Sequence, residues 1–281
     1  MHVDALALVL TAAGAHAGWN LIAKRAGGGV AFVWSYGTAG VVLWMPLGIA
    51  ALVLGSGRLD AATCVLMVGS GILHGAYFVL LQRGYATGDL SVVYPLARGT
   101  GPLLAVPLAA VVLDERPSVL AVAGGAVIVA AILSLVGRPR AGARAAVGFA
   151  LATGALIAVY TVWDAYAVDT IDVSVITYFW GVQLSSTLLL APLALRRSDA
   201  VRAAWRNSRK AVLGVGLLGP LAYVLVLWAL QLAPVSVVAP AREVSIVLGA
   251  ALGAWLLGEP AGARRVAAAI AVVAGIALLA L

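Results

Sequence analysis

Long apolar stretches follow one another along the whole chain and are separated by short polar segments. Ten of these stretches each hold about 20 residues, enough for a helix to cross a hydrocarbon core of about 30 Å. They cover residues 4–23, 31–54, 61–82, 91–113, 117–136, 146–163, 174–194, 211–232, 236–257 and 263–281. The longest polar connection, residues 196–210, is too short to hold a soluble domain. The pattern therefore predicts an all-α polytopic membrane protein with ten transmembrane helices.

Composition agrees with a membrane location and narrows the functional classes. The 281 residues are 63% hydrophobic and only 10% charged, whereas soluble domains carry roughly 25% charged residues. The single cysteine, Cys64, and three scattered histidines predict no disulfide, metal site or cofactor. Because the chain has no GxSxG, HExxH or GxxxxGK motif, we expect it not to be an enzyme. Its basic residues lie in connections between apolar stretches, which speaks against nucleic acid as a partner.

Basic residues are concentrated on alternate connections. Fourteen of the eighteen Lys and Arg residues share one side: Lys24, Arg25, Arg83, Arg138, Arg140, Arg144, Arg196, Arg197, Arg202, Arg206, Arg209, Lys210, Arg264 and Arg265. The connections on the other side carry only Arg58 and Arg116. Since basic connections stay in the cytoplasm, we expect a multi-pass protein of the inner membrane with both termini outside.

A sequence repeat relates the two halves of the chain. The segment SVVYPLAR at 91–98 recurs as SVVAPAR at 236–242, which pairs Arg98 with Arg242. Three further pairs follow at nearly the same offset: Trp34 with Trp180, Pro46 with Pro192, and Tyr77 with Tyr223. Five helices per half make the two copies run in opposite directions through the membrane. The pattern predicts two inverted five-helix repeats, residues 1–140 and 141–281.

Several short motifs in a fixed order resemble the EamA type of the drug/metabolite transporter superfamily. They are HAGWN at 16–20 with Lys24, YPLAR at 94–98, and Glu115 and Glu259 near helix ends. The resemblance covers the whole chain, and the first and fourth helices look most like a branch associated with phosphonate utilisation. It implies a carrier for small metabolites in the inner membrane, commonly an exporter of amino acids and related compounds, and leaves the substrate open.

Arg98 and Arg242 lie about seven residues inside their predicted helices, so each is roughly 10 Å below one of two opposite membrane surfaces. A charge at such a depth costs about 3 kcal/mol on insertion scales, so both side chains are expected to face the bundle interior. A guanidinium binds carboxylate or phosphate oxygens as a two-pronged fork. We therefore predict that Arg98 and Arg242 bind substrate or act as gates, with internal ion pairs as the alternative.

Glu243 is the only acid that the pattern places well inside an apolar stretch. A buried carboxyl of this kind is a candidate proton-coupling site, and a plain salt bridge is the alternative. Successive helical residues point about 100° apart, so we expect Arg242 and Glu243 not to share one stripe, and either to flank one cavity or to meet different helices. Glu115 and Glu259 precede prolines at helix ends, where we expect them to bind backbone groups or cap the next helix.

Other polar and aromatic residues recur at helical spacing and are further candidates to line a substrate pocket. The histidines either relay protons or bond a neighbouring helix, and the aromatic residues either line the pocket or sit at the membrane interfaces. The predicted substrate-binding residues, besides the two arginines, are His16, Trp19, Asn20, His74, Tyr77, Tyr94, Trp180 and Tyr223.

Together these features predict a secondary transporter that works by alternating access. The expected substrate is a small polar metabolite with a carboxylate or phosphonate, and transport is expected to be proton-coupled or to proceed by exchange. A lipid flippase of the same architecture is the alternative. The expected partners are the substrate and membrane lipids, and small-residue spacings such as that of Gly71 and Gly75 permit either a monomer or a homodimer.

Overall fold

The computed structural model describes residues 3–26, 29–54, 59–136, 143–248 and 263–280, and every regular element within these ranges is helical. The helices are α1 (Val3–Ala26), α2 (Val30–Val53), α3 (Ala61–Thr87), α4 (Leu90–Val112), α5 (Val119–Ser134), α6 (Arg144–Ala165), α7 (Val175–Leu195), α8 (Ser198–Asn207), α9 (Arg209–Leu230), α10 (Val235–Ala241) and α11 (Ala263–Ala280). The predicted all-α fold class is confirmed.

Seven of the described helices are long and apolar enough to cross a membrane, namely α1 to α4, α6, α7 and α9. Two shorter apolar helices, α5 and the Val266–Ala280 part of α11, accompany them. The protein is therefore a polytopic membrane protein. The ten-span count and the location of the termini stay predictions, because residues 249–262 lie outside the described part of the chain.

Two helices differ from the predicted boundaries in ways that affect the site. The sixth predicted span ends at residue 163, but α6 continues through Ala165 into a π-helical turn, Tyr166–Thr170. The ninth predicted span is interrupted, since α10 ends at Ala241, residues 242–243 form a turn, and helix resumes over residues 244–248. Hydropathy misses both features because neither changes the apolar character of the segment.

The basic connection 196–210, predicted as a loop, contains the amphipathic helix α8. Its Trp205 is half-buried and packs on a cluster that includes Phe32 and Val212, whereas Arg202 and Arg206 are exposed. An amphipathic helix with basic residues on its polar face is typical of segments that lie along a membrane surface. A hydropathy scan overlooks α8 because it is short and polar on average.

The helices pack in crosswise pairs, in each of which one helix comes from the first half of the chain and the other from the second half. α1 packs on α9, α3 on α6, α2 on α7 and α5 on α11, and α4 packs on both α6 and α10. Between α2 and α7, Trp34 Nε1 donates to the Thr187 carbonyl at 3.1 Å, and Trp180 Nε1 donates to the Val41 carbonyl at 3.1 Å. The separation along the chain between Trp34 and Trp180 equals that between Val41 and Thr187. The two bonds are therefore reciprocal, each being the counterpart of the other in the second half of the chain.

Glu115 connects the end of α4 to the start of α10. Its two carboxylate oxygens accept from the backbone N–H groups of Val235 at 2.6 Å and Ser236 at 2.9 Å. Glu115 therefore binds backbone as predicted, but the helix it caps is α10. The next helix, α5, is capped by Ser118, whose Oγ accepts from the Ala121 N–H at 3.1 Å. Glu259 lies outside the described residues.

Close packing of α6 on α4 requires a glycine at position 154. A Cβ added there would lie 2.9 Å from the Ala97 carbonyl oxygen and also against Thr100, whereas a Cβ added at Gly148 of the same helix meets nothing within 4 Å. The backbones of α4 and α6 approach so closely because Gly154 has no side chain.

We expect Gly154→Ala to lower the free energy of unfolding by roughly 1–3 kcal/mol, because the added methyl group must push α4 away from α6. Gly148→Ala is the matched control and is expected to leave stability unchanged or slightly raised. Denaturant unfolding of both variants in detergent micelles measures the difference. Equal losses in the two variants would contradict a close contact at Gly154.

Candidate functional site

A cavity of about 130 Å³ lies among α1, α2, α3, α4, α6, α7 and α9, with Arg242 closing one side. Seven of the predicted substrate-binding residues line it, and these are His16, Trp19, His74, Tyr77, Arg98, Tyr223 and Arg242. Tyr160, Phe179 and Gln183 also line the cavity and were not among the predicted binding residues. Residues from both halves of the chain therefore share one cavity wall.

Three buried charges meet at this cavity. Glu243 is 0% exposed, Arg98 is 7% exposed and Arg242 is 6% exposed. Arg98 Nε donates to Glu243 Oε2 at 2.8 Å, and Arg242 Nε donates to Glu243 Oε1 at 3.4 Å. One carboxylate thus accepts from two guanidiniums, and the three groups together carry one excess positive charge.

Arg242 and Glu243 are in direct contact, as the ion-pair alternative has it, although they were not expected to share one helical stripe. The Glu243 N–H bonds to the Pro240 carbonyl at 3.1 Å, and the Ser245 N–H bonds to the Arg242 carbonyl at 3.2 Å. Each of these bonds reaches three residues back, whereas an α-helix reaches four, so the chain is tightened at the turn after α10. The angle of about 100° between successive side chains of a regular helix therefore does not hold for two residues in that turn.

Arg242 keeps part of its hydrogen-bonding capacity free. Its Nη2 is buried and has no hydrogen-bond partner among the described residues. Its guanidinium carbon lies 6.0 Å from the centroid of the Tyr160 ring, a distance at which a cation is attracted to an aromatic face. A buried donor without a partner costs free energy, which a ligand with an acceptor oxygen in the cavity would recover.

Aromatic rings form another part of the cavity wall. The His74 ring stacks on Tyr160 with centroids 4.1 Å apart and meets the edge of Tyr223 at 5.3 Å. Tyr77 contacts Tyr160 edge to face at 5.8 Å, and His16 contacts Trp19 at 4.8 Å. His74 Nδ1 hydrogen-bonds within α3, at 3.0 Å from the Ser70 carbonyl and 3.2 Å from Ser70 Oγ.

Three of the predicted binding residues do not line this cavity. Asn20 donates its side-chain amide to the His16 carbonyl one turn earlier, at 2.8 Å. Trp180 gives its indole N–H to Val41 in the α2–α7 contact and lines a smaller neighbouring pocket. Tyr94 is half-buried and packs against the hydrophobic core. Their helical spacing was compatible with a pocket, but Asn20 and Trp180 bond to backbone carbonyls instead and Tyr94 packs in the core.

Asp164 is a second buried acid, which corrects the expectation that Glu243 is the only one inside the apolar stretches. It is 0% exposed and accepts from the Tyr178 hydroxyl at 2.6 Å and from the Tyr223 hydroxyl at 2.6 Å. It lies inside because α6 extends past the predicted end of the sixth span. The spacing of Tyr160 and Asp164, four residues on one helical face, was the only sequence signal of an inward direction.

Comparison with known proteins gives a family for the second half of the chain and a fold for the whole. Residues 144–281 match the EamA-like transporter family. A solved crystal structure is similar over 99% of this chain and 98% of its own chain, with a TM-score of 0.78 and 19% sequence identity. At this identity the likeness concerns the fold alone. No curated protein matches the chain.

We expect Glu243→Gln to lower the free energy of unfolding by about 3–5 kcal/mol, because it leaves two buried guanidiniums without a counter-charge. Arg98→Gln is expected to cost less, since Glu243 keeps Arg242 as a partner. Denaturant unfolding of both variants and of the double variant in detergent micelles measures the coupling between the two residues. The three-charge cluster is refuted if Arg98→Gln proves as destabilising as Glu243→Gln, or if the double variant shows no coupling.

Proposed function

We propose that this chain, which carries an EamA-like transporter domain over residues 144–281, is a secondary active transporter for a small polar metabolite. The observation that supports this most directly is the cavity among the helices, where an Arg242 nitrogen is unpartnered and positive charge is in surplus. The family match favours a transporter and not an enzyme. The architecture is that of a polytopic membrane protein, which provides the path across the membrane.

The proposed substrate carries an anionic group, a carboxylate or a phosphonate. Glu243 neutralises only one of the two positive charges of Arg98 and Arg242. A bound anion would neutralise the other. The free Nη2 of Arg242 supplies a donor for it. The faces of Tyr160 and Tyr77 suit an apolar body or an ammonium group, so an amino-acid-like molecule fits the same cavity.

Alternating access is proposed to arise from two inverted halves, residues 1–140 and 141–281. The reciprocal bonds of Trp34 and Trp180 and the crosswise helix pairs support this symmetry. Arg98 belongs to the first half, and Arg242 and Glu243 belong to the second. The Arg98–Glu243 bond is therefore a link between the halves that would have to break or change partner when the cavity switches sides.

We propose that the protein resides in the inner membrane with its basic connections in the cytoplasm. The exposed Arg202 and Arg206 of α8 support this orientation, because basic surface helices favour the anionic cytoplasmic leaflet. Seven long helices are described, so the proposed ten spans also require α5, α11 and the interrupted segment that starts with α10.

Coupling to protons or exchange of substrates completes the proposed mechanism. For Glu243, the two arginine contacts favour the ion-pair role over the proton-coupling role. A lipid flippase is the second candidate. It needs a groove that is open sideways to lipid, and the two arginines and the histidines of this cavity favour a polar substrate instead.

The substrate class is tested by thermal unfolding of the purified protein with amino acids, aminophosphonates, organic cations and lipids. A ligand at a hundred times its dissociation constant should stabilise the protein by about 2.7 kcal/mol. We expect anionic metabolites to give this stabilisation in the wild type and in Arg206→Gln, an exposed control. We expect Arg242→Gln to lose it because the free guanidinium nitrogen is removed.

Arg242→Lys separates charge from geometry, because lysine keeps the positive charge without the fork. We expect intermediate stabilisation for this variant. Stabilisation by lipids or organic cations that persists in Arg242→Gln would contradict an anionic substrate, and stabilisation by lipids alone would favour the flippase.

A further inference from the structure

We propose that Asp164 is a proton-binding site and that its charge state sets the direction of the Tyr223 hydroxyl in the cavity wall. A role of this site in transport rests on the proposed function, whereas proton binding to Asp164 does not. Asp164 lies behind the cavity, and Tyr223 stands between the carboxylate and the cavity. The site thus reaches the cavity through a single hydrogen bond.

The partners of Asp164 are neutral donors from two other helices. Tyr178 of α7 and Tyr223 of α9 each give a hydroxyl hydrogen bond of 2.6 Å to a different oxygen of the carboxylate. Among the described residues no cation forms a salt bridge with Asp164. Glu243, in contrast, contacts two guanidiniums. Of these two buried acids, Asp164 is the one that can become neutral without leaving a cation unpaired.

The Tyr223 hydroxyl connects Asp164 to the cavity. Tyr223 lines the cavity directly. Because the Tyr223 hydroxyl contacts Asp164 and belongs to a residue of the cavity wall, it provides a path for a proton between the cavity and Asp164.

The other titratable and charged groups around Asp164 come from the helices packed on α6. His74 of α3 interacts with it electrostatically, as does Tyr160 one turn earlier on α6. Tyr160 also feels the charges of Arg98, Arg242 and Glu243. The ring of Tyr160 therefore lies within electrostatic range of both the Asp164 site and the three-charge cluster.

Protonation changes the hydrogen bonds in a definite way. The ionised carboxylate accepts from both tyrosines, whereas the acid form carries one O–H and donates through it. A proton that arrives on Oδ2 forms this O–H, and the Tyr223 hydroxyl must then accept and turn its own hydrogen away from Asp164. The turned hydroxyl can donate to a substrate in the cavity. Proton binding also makes the site one charge more positive, which favours an anion there.

The test is an infrared titration with pH of the purified protein in lipid vesicles, with protons as the only ligand. A protonated buried carboxyl gives a C=O stretching band separate from those of carboxylates. We expect such a band to grow on acidification of the wild type and to be absent from Asp164→Asn. Absence of the band from the wild type, or its persistence in Asp164→Asn, would overturn the proposal.

Tyrosine variants assign the band even if Asp164→Asn fails to fold. Tyr223→Phe and Tyr178→Phe each remove one hydrogen bond to the carboxyl and should shift the band to higher frequency. Tyr77→Phe is the matched control, since Tyr77 lines the same cavity without a hydrogen bond to Asp164, and it should leave the band in place. A band unmoved by both Tyr223→Phe and Tyr178→Phe overturns the assignment. Ligand stabilisation does not enter this readout, so failure of the transport proposal remains distinguishable.

Discussion

The burial of Glu243 between two arginines is the constraint on which the site depends. An ion that is taken out of water without a partner costs several kcal/mol, so the three charges are compatible with the membrane interior only if they meet. Arg98 comes from α4, and Arg242 and Glu243 follow α10. Their meeting fixes α4 against α10, and Glu115 holds the start of α10 from the other end of α4.

The cavity combines features that a transporter needs in one place. Its positive side is held by the cluster, and its aromatic side brings together Tyr77, Tyr160 and Tyr223. Behind Tyr223 lies Asp164, a buried acid bonded only by neutral hydroxyls among the described residues. One acid of the site is therefore held by two arginines and the other by two tyrosine hydroxyls.

Much of the site could be predicted from the sequence because charges inside apolar stretches must point inward. That physical rule selected Arg98, Arg242 and Glu243, and the repeat paired Tyr77 with Tyr223. Position along a helix was less informative for groups that satisfy themselves locally. Asn20 donates its side-chain amide to a carbonyl of its own helix, and Trp180 donates its indole N–H to a carbonyl of α2. Neither lines the cavity, although their spacing is compatible with it.

The sequence by itself determined that the chain is a helical membrane protein, because apolar segments of this length can satisfy their backbone groups in lipid only as helices. It also determined that Arg98, Arg242 and Glu243 had to be buried. Only the tertiary structure decided which of them meet. The turn at residues 242–243 brings neighbouring side chains together, and the extension of α6 through Thr170 takes Asp164 inside. Both depend on local departures from regular helix that contacts between helices stabilise and that hydropathy does not record.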